Sequence, residues 1–354
     1  MKRNIYEICG VVERAKKGKI YPAGTVLIQL SATEGEVLRL KEDGAVDARY
    51  ACLVPKKNEN AEYFFRVIES TIGEFCETYQ TGINLQFDVL KNYNVEYSKN
   101  ENEQKSFCER IGKLDELISF EEGLIENWQN AKKYFLEKMF PPPHMIKKPY
   151  IRFAGFTNDW EQRKLSDAIL DIADGPFGSN LKTEHYTDER EARIIQLSNL
   201  SDYGWQEDNT RYTTYEHAKE IKRCIVNEGE LVMGKMMPAG MTIMRPNTEK
   251  MYVLSSDCVR IKLNKNIATD EFFLYTTKSD TFLNQVNNDS QGSTRVRTSI
   301  SKIREMDFAI PTIEEQDKIG DYFRNLDHLI TLHQRKLKEL HKMRKSYLEE
   351  LKET

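Results

Sequence analysis

The last stretch of this chain, from Glu314 to Thr354, occurs in it twice. Glu315-Gln316 stands 212 positions beyond Glu103-Gln104, and from there the two copies align without a gap to the end. Leu114-Asp115-Glu116-Leu117-Ile118 falls on Leu326-Asp327-His328-Leu329-Ile330, and Lys133, Leu136 and Glu137 fall on Lys345, Leu348 and Glu349. An apolar stripe repeats as well. It reads Phe107, Ile111, Leu114, Ile118, Ile125, Trp128, Phe135, Met139 in the first copy. In the second it reads Ile319, Phe323, Leu326, Ile330, Leu337, Leu340, Tyr347, Leu351. Steps of three and four make a heptad seam. Both copies break it at the same two places, Glu121 with Lys132 and His333 with Arg344. Neither copy contains proline, so each is expected to form one helix of roughly 60 Å at ~1.5 Å rise per residue. Two related rods most simply bury their stripes on each other. Unrelated partners for each are the alternative, and the ungapped echo favours a duplicated unit.

At 354 residues the chain exceeds one ordinary core. The expected class is α+β. Residues 1–100 read as a first, abbreviated β-rich domain, 101–148 as a helix and linker, 149–312 as a larger β-rich domain, and 313–354 as the second helix. Pro141-Pro142-Pro143 stops the first rod, because proline removes an amide donor and clashes with the preceding turn. Turn chemistry at Pro22-Ala23-Gly24 precedes a strand over Thr25–Leu30, with further strands at 51–54, 194–197, 231–233 and 259–263. Helices are expected over 61–75 and from Asp270. Fainter echoes link the globular parts. Ala23–Ile28 resembles Glu228–Met233, Cys52 matches Cys258, and Glu62-Tyr63-Phe64 matches Glu271-Phe272-Phe273. Residues 174–221 have no counterpart in the first half.

No apolar run approaches the ~20 residues of a membrane helix, and the N-terminus lacks the apolar core of a secretion signal. Six scattered cysteines without C-x-x-C suit reduced thiols in cytoplasm. The net charge of −4 argues against a chain that grips nucleic acid unaided.

Catalytic signatures are missing. Gly175-Pro176-Phe177-Gly178-Ser179-Asn180-Leu181-Lys182 lacks phosphate-loop spacing. No G-x-G-x-x-G, H-E-x-x-H or G-x-S-x-G occurs. The polar-Pro-Pro-aromatic loop of amino-methyltransferases is absent, and no histidine pairs with cysteine at metal spacing. Chemical character concentrates instead in Ser290–Arg304, which holds four cations and no acid inside a net acidic domain. Gln291, Ser293, Thr294, Arg295, Arg297 and Lys302 there suit phosphate oxygens and guanine edges, although a solvated loop has the same composition. Phe177, Ser179, Asn180 and Lys182 of the glycine-rich loop form a second candidate surface, which also reads as an ordinary turn. In the first domain the candidates are Arg14, Lys16, Lys17 and Lys19 of a basic turn. Asn84 and Gln86 occupy the place of the basic loop.

Phe153-Ala154-Gly155-Phe156-Thr157-Asn158-Asp159-Trp160-Glu161-Gln162-Arg163-Lys164-Leu165 resembles the R-F-x-G-F-x-x-x-W-E-x-x-x-L opening of the second half of type I restriction-modification specificity (S) subunits. Gln291-Gly292-Ser293-Thr294 and Ile310-Pro311-Thr312-Ile313-Glu314-Glu315-Gln316-Asp317-Lys318-Ile319 are similar to that family's G-S-T … I-P-x-x-x-E-Q-x-x-I passage. The likeness covers residues 101–354 and weakens over 1–100. It implies two target-recognition domains, each reading half of a split site on double-stranded DNA. It also implies two antiparallel helices that space them and dock two methyltransferase (M) subunits. Restriction (R) subunits would join that assembly. S-adenosylmethionine and ATP with magnesium would then sit on the partners, and this chain would carry no cofactor, metal or catalytic residue.

A ~60 Å rod covers at most about 17 base pairs, which leaves a spacer of about 5–8 between half-sites. Docking would centre on Leu114, Leu117, Ile118 and Trp128 in the first helix and Leu326, Leu329, Ile330 and Leu340 in the second. Leu326→Asp is accordingly expected to leave the domains folded and stop assembly. Two other classes stay open: a coiled-coil scaffold with protein-binding ends, and an enzyme with an unfamiliar site.

Overall fold

The structure is a computed structural model, and it describes every residue except 32–34, 141–147, 237–238, 289–297 and 354. The chain divides into two compact units, Met1–Ile125 with Leu332–Thr354, and Glu126–Thr331. Each mixes helix and sheet.

In the first unit, Gly24 takes φ +86° at the expected turn, a backbone that L side chains rarely adopt. Thr25 donates from both its amide and Oγ1 to Pro22 O. The apolar run that follows forms the strand Val26–Gln29. It sits inside a four-stranded antiparallel sheet in the order Cys9–Arg14, Tyr50–Pro55, Val26–Gln29, Val37–Arg39. Asn60 starts the helix Ala61–Tyr79 by accepting from Tyr63 N, satisfying one orphan amide. That helix buries Phe64, Val67, Ile68 and Ile72 in the unit's core. A two-stranded sheet pairs Lys2–Asn4 with Asn94–Glu96.

The second unit repeats this plan. Its four-stranded sheet runs Ile169–Asp174, Cys258–Leu263, Leu231–Gly234, Thr242–Met244, and a two-stranded sheet pairs Asp307–Ile310 with Glu161–Lys164. Even the bulge recurs, between Cys9 and Val11 in one sheet and between Ile169 and Asp171 in the other. The unit differs by a five-stranded sheet ordered Tyr186–Thr187, Tyr212–Thr213, Ala192–Ile195, Met251–Leu254, Ile225–Val226. In the first unit, among the described residues, only the pair Ile20–Tyr21 and Gly44–Ala45 stands in its place. Residues 174–221, which lack a counterpart in sequence, supply three of the five strands. The parallel pair at its centre buries Ile194, Ile195, Val253 and Leu254 completely, as continuous apolar runs require. The strand expected over 194–197 ends at Ile195. Asn199 accepts from Gln196 N and pulls Leu197–Asn199 into a 3-10 turn.

The long helices span Glu101–Met139 and Ile313–Glu353. Within the first unit Phe107, Ile111, Leu114 and Ile118 share one core with Leu340, Leu348 and Leu351. Within the second, Met139 joins Ile319, Phe323 and Leu326, with Trp128 and Phe135 against them. Each fully buried large apolar side chain contributes about 1.5–3 kcal/mol.

The breaks in the seam are filled by charge pairs. In the first unit Glu121 meets His333 at 2.7 Å and Lys336 at 2.6 Å, and Arg344 grips Asp115 and Glu69 at 2.7 Å each. In the second unit Lys132 meets Asp327 at 2.6 Å. Lys132–Asp327 and Arg344–Asp115 occupy the same two positions of the repeat, so one charge pair has been kept in both copies. In each unit residue numbers rise along one helix as they fall along the other. Among the described residues, no helix is long and apolar enough to cross a membrane.

Candidate nucleic-acid interface

Much of what is distinctive in the sequence serves intrachain packing. Arg152 places Nε and Nη2 at 2.6 and 2.7 Å from the fully buried carboxylate of Glu315. Gln316 accepts from Thr269 N and donates to the carbonyls of Ile267 and Pro311. In the first unit Gln104 donates to Ser98 O, and Glu103 accepts from Ser98 Oγ and Asn100 Nδ2. The repeated Glu-Gln pair therefore anchors each long helix to the chain before it. Trp160 packs edge-on against Phe140 and Phe272.

The basic turn of the first unit loses half of its charge to a neighbour. Lys16 and Lys19 both reach Glu13, each at 2.5 Å, and Tyr21 donates to the same carboxylate. These donors hold the Glu13 carboxyl far below its usual range, at about 2. Lys16 and Lys19, expected to face a ligand, are thus committed to an intrachain carboxylate. Arg14 and Lys17 remain exposed and form no ion pair among the described residues. Arg14 lines a cleft of about 360 Å³ together with Ser31, Arg49, Asn84 and Gln86. Strand pairing brings these residues to one place, since Leu85 donates to Leu30 O and Leu30 donates to Arg49 O. Candidates from two stretches far apart in sequence, Arg14 from one and Asn84 and Gln86 from the other, thereby converge. Arg49 was missed, because a lone arginine in a polar turn carries no local signal.

In the second unit the glycine-rich loop borders a cleft of about 460 Å³ lined by Asp174, Gly175, Pro176, Phe177, Asn180 and Glu220 to Cys224. Phe177 stands 75 % exposed, an apolar ring held in water at the cleft's edge. Gly175 is obligatory, because a Cβ there would lie 1.8 Å from Ser255 O. Beneath the loop, Lys235 is buried and pairs with Asp174. Stacked imidazoles brace the loop's far end. The rings of His185 and His217 lie 4.2 Å apart, His217 Nε2 is 2.8 Å from Asn180 O, and His185 Nδ1 accepts from Lys182 N. The Lys182 ammonium is 3.9 Å from Glu184. Lys222 and Arg223, exposed on the opposite wall, also escaped the sequence reading. The side chain of Ser179 and the residues Gln291, Ser293, Thr294, Arg295 and Arg297 lie outside the described part of the structure. Lys302 does not. Its amide caps onto Ser299 Oγ at the start of the helix Ile300–Glu305.

On the long helices, Leu114, Ile118, Leu326, Ile330 and Leu340 are buried in this chain's own packing, and Trp128 and Leu329 are half-buried. Those five side chains cannot meet a partner directly. Leu117, at 44 %, is the candidate that faces out, and Phe120 at 60 % and Leu332 at 52 % join it. Phe120 and Leu332 are repeat equivalents.

Nothing in the described residues clusters as a nucleophile or a metal site. No group of three or more His, Cys, Asp or Glu could hold an ion. Burial pushes the Cys9 and Cys258 thiols up to about 12, so both stay protonated at neutral pH.

The structure is similar to the crystal structure of a type I restriction-modification system S subunit from M. genitalium. The TM-score is 0.65 at 14 % identity, covering 99 % of this chain and 95 % of that one. A structure described under complex assembly and conformational transition of the type I R-M system matches with a TM-score of 0.61 at 11 % identity, covering 99 % and 97 %. Such distant likeness bears on the fold. The sequence itself matches the family described as Type I restriction modification DNA specificity domain over residues 6–127 and 147–342, one stretch for each copy of the internal plan. The chain belongs to that family of type I restriction-modification DNA specificity domains.

Proposed function

We propose that this chain reads a bipartite sequence in double-stranded DNA, each unit taking one half-site. The observation that carries this is the double family match over two units with the same strand order and bulge. In this reading the long helices act as an antiparallel coiled-coil spacer and dock two methyltransferase subunits, with restriction subunits joining. The apolar faces around Leu117, Phe120 and Leu332 are the part of that surface not consumed by the chain itself. The chain works in the cytoplasm and performs no chemistry. S-adenosylmethionine, ATP and magnesium belong to the partners, which also supply most phosphate contacts and so offset the −4 net charge.

The test is co-expression with a methyltransferase subunit of the same host. A stable 2:1 complex that methylates adenine in a split sequence, lost from the host methylome when this chain is deleted, supports the reading. Partners of another kind with no sequence selectivity would favour a scaffold, and turnover by the chain alone would favour an enzyme.

A further inference from the structure

Three backbone hydrogen bonds set the same frame in both units. In the first they run from Ala15 to Tyr50 O, from Leu30 to Arg49 O and from Leu85 to Leu30 O. In the second they run from Gly175 to Cys258 O, from Lys235 to Asp257 O and from Thr298 to Lys235 O. The frame makes Arg14 the counterpart of Asp174, and Arg49 that of Asp257. Charge is therefore reversed at both positions. The frame also sets Tyr50, not Cys52, against Cys258, which corrects the cysteine match expected from the sequence. In the second unit Asp174 is further tied to Lys235, whose counterpart in the first unit is the apolar Leu30.

The first unit's frame opens into the cleft lined by Arg14, Arg49, Asn84 and Gln86, and none of the described residues in its wall is an acid. Among the described residues the Arg14 side chain has no ion-pair partner. Arg49 leans on the Tyr50 ring at 5.6 Å and makes a long contact, 3.5 Å from Nε to Asp47 Oδ1, and among the described residues neither terminal nitrogen of its fork has an ion-pair partner. Two such forks suit a ligand edge that presents paired acceptors. In duplex DNA those are guanine O6 with N7, or phosphate oxygens.

We infer that the Arg14–Arg49 cleft makes the abbreviated first unit a reader of an acceptor-rich DNA edge, and that the charge-reversed frame of the second unit rejects that edge. The two half-sites then differ chemically, and Arg49 is a specificity-determining residue. This rests on the reading of the chain as a DNA reader.

The experiment selects duplexes from a randomised pool with the full chain in complex with its methyltransferase subunits at low ionic strength, then repeats it with Arg14→Ala/Arg49→Ala and Arg14→Lys/Arg49→Lys. Both positions are exposed, so folding is retained. The expected result is that wild type enriches a split sequence with a fixed guanine in one half. Both variants should lose about 10- to 100-fold of preference at that guanine while keeping the other half, and 7-deazaguanine should reproduce the loss. If the lysine variant keeps full binding, and methylphosphonate linkages rather than 7-deazaguanine weaken it, the edge is phosphate. Variants that keep every preference and affinity of wild type overturn the cleft alone. A wild-type complex that enriches nothing overturns the DNA-reader reading, and the cleft with it.

Discussion

His333 Nδ1 lies 2.7 Å from Oε2 of Glu121, a carboxylate buried to 0 % exposure, and the two residues are each other's counterparts in the tandem repeat. One position of the repeat holds an acid in one copy and its basic partner in the other. Lys336 adds a second cation, and these hydrogen bonds hold the Glu121 carboxyl below its usual range. A buried pair of this kind is costly to break, because removing one member strands the other in a medium of low dielectric. A His333→Ala/Lys336→Ala variant, which strands the buried Glu121 carboxylate, should therefore destabilise the first unit by roughly 3 kcal/mol in denaturant titration. A Glu121→Leu/His333→Leu double variant should lose much less, or gain. The pH sign follows from the lowered folded pKa. The contribution is complete above the ordinary carboxylate range, near 4.5, and fades as pH falls below it.

Burial corrects the expectation drawn for Leu326. It is 5 % exposed, in one core with Phe323 and Ile319, so Leu326→Asp buries an unpaired charge and should unfold the second unit. Assembly is better probed at Phe120 and Leu332. Phe120→Asp and Leu332→Asp should keep wild-type circular dichroism and melting, and should weaken the methyltransferase complex about tenfold or more in ultracentrifugation. Undiminished assembly in both would remove that face from the docking surface.

Gly175→Ala tests how the glycine-rich loop is held. A methyl group 1.8 Å from Ser255 O forces the backbone to move. Overpacking of this kind costs about 1–3 kcal/mol. The variant should lose discrimination at the second unit's half-site, read by competition binding, and keep it at the other. Equal loss at both would point to general unfolding.

Lys278 donates to Asp202 O at 2.7 Å and clamps the hairpin of Leu200–Ser201 and Gly204–Trp205, while Tyr203 accepts from Gln129. Burial, with Lys132 close by, pushes its ammonium down to about 8. Between about 8 and 10.5 the unfolded chain binds the extra proton, so stability of the second unit should rise with pH across that window. Lys278→Met should flatten the rise in melting temperature. A rise of the same size in the variant would assign it to another group.

Periodicity in the chain was enough to place two long helices, the repeat that relates them and the positions of the seam breaks. A heptad pattern is a local property that each residue reports without help from distant ones. Strands in the core of each unit were legible for the same reason, as apolar runs bounded by turns. The repeated Glu-Gln pairs and Arg152 were visible as motifs, whereas their work as helix anchors was not, because Arg152 and Glu315 meet only when the chain folds back. Tertiary structure likewise decided which cations are available. Lys16 and Arg14 look alike in a basic turn, and only the approach of Glu13 separates them. The meeting of Arg14, Arg49, Asn84 and Gln86 in one cleft depends on strand register across some seventy residues. No local window of sequence encodes that convergence, since register is set by the burial of whole faces rather than by neighbouring residues.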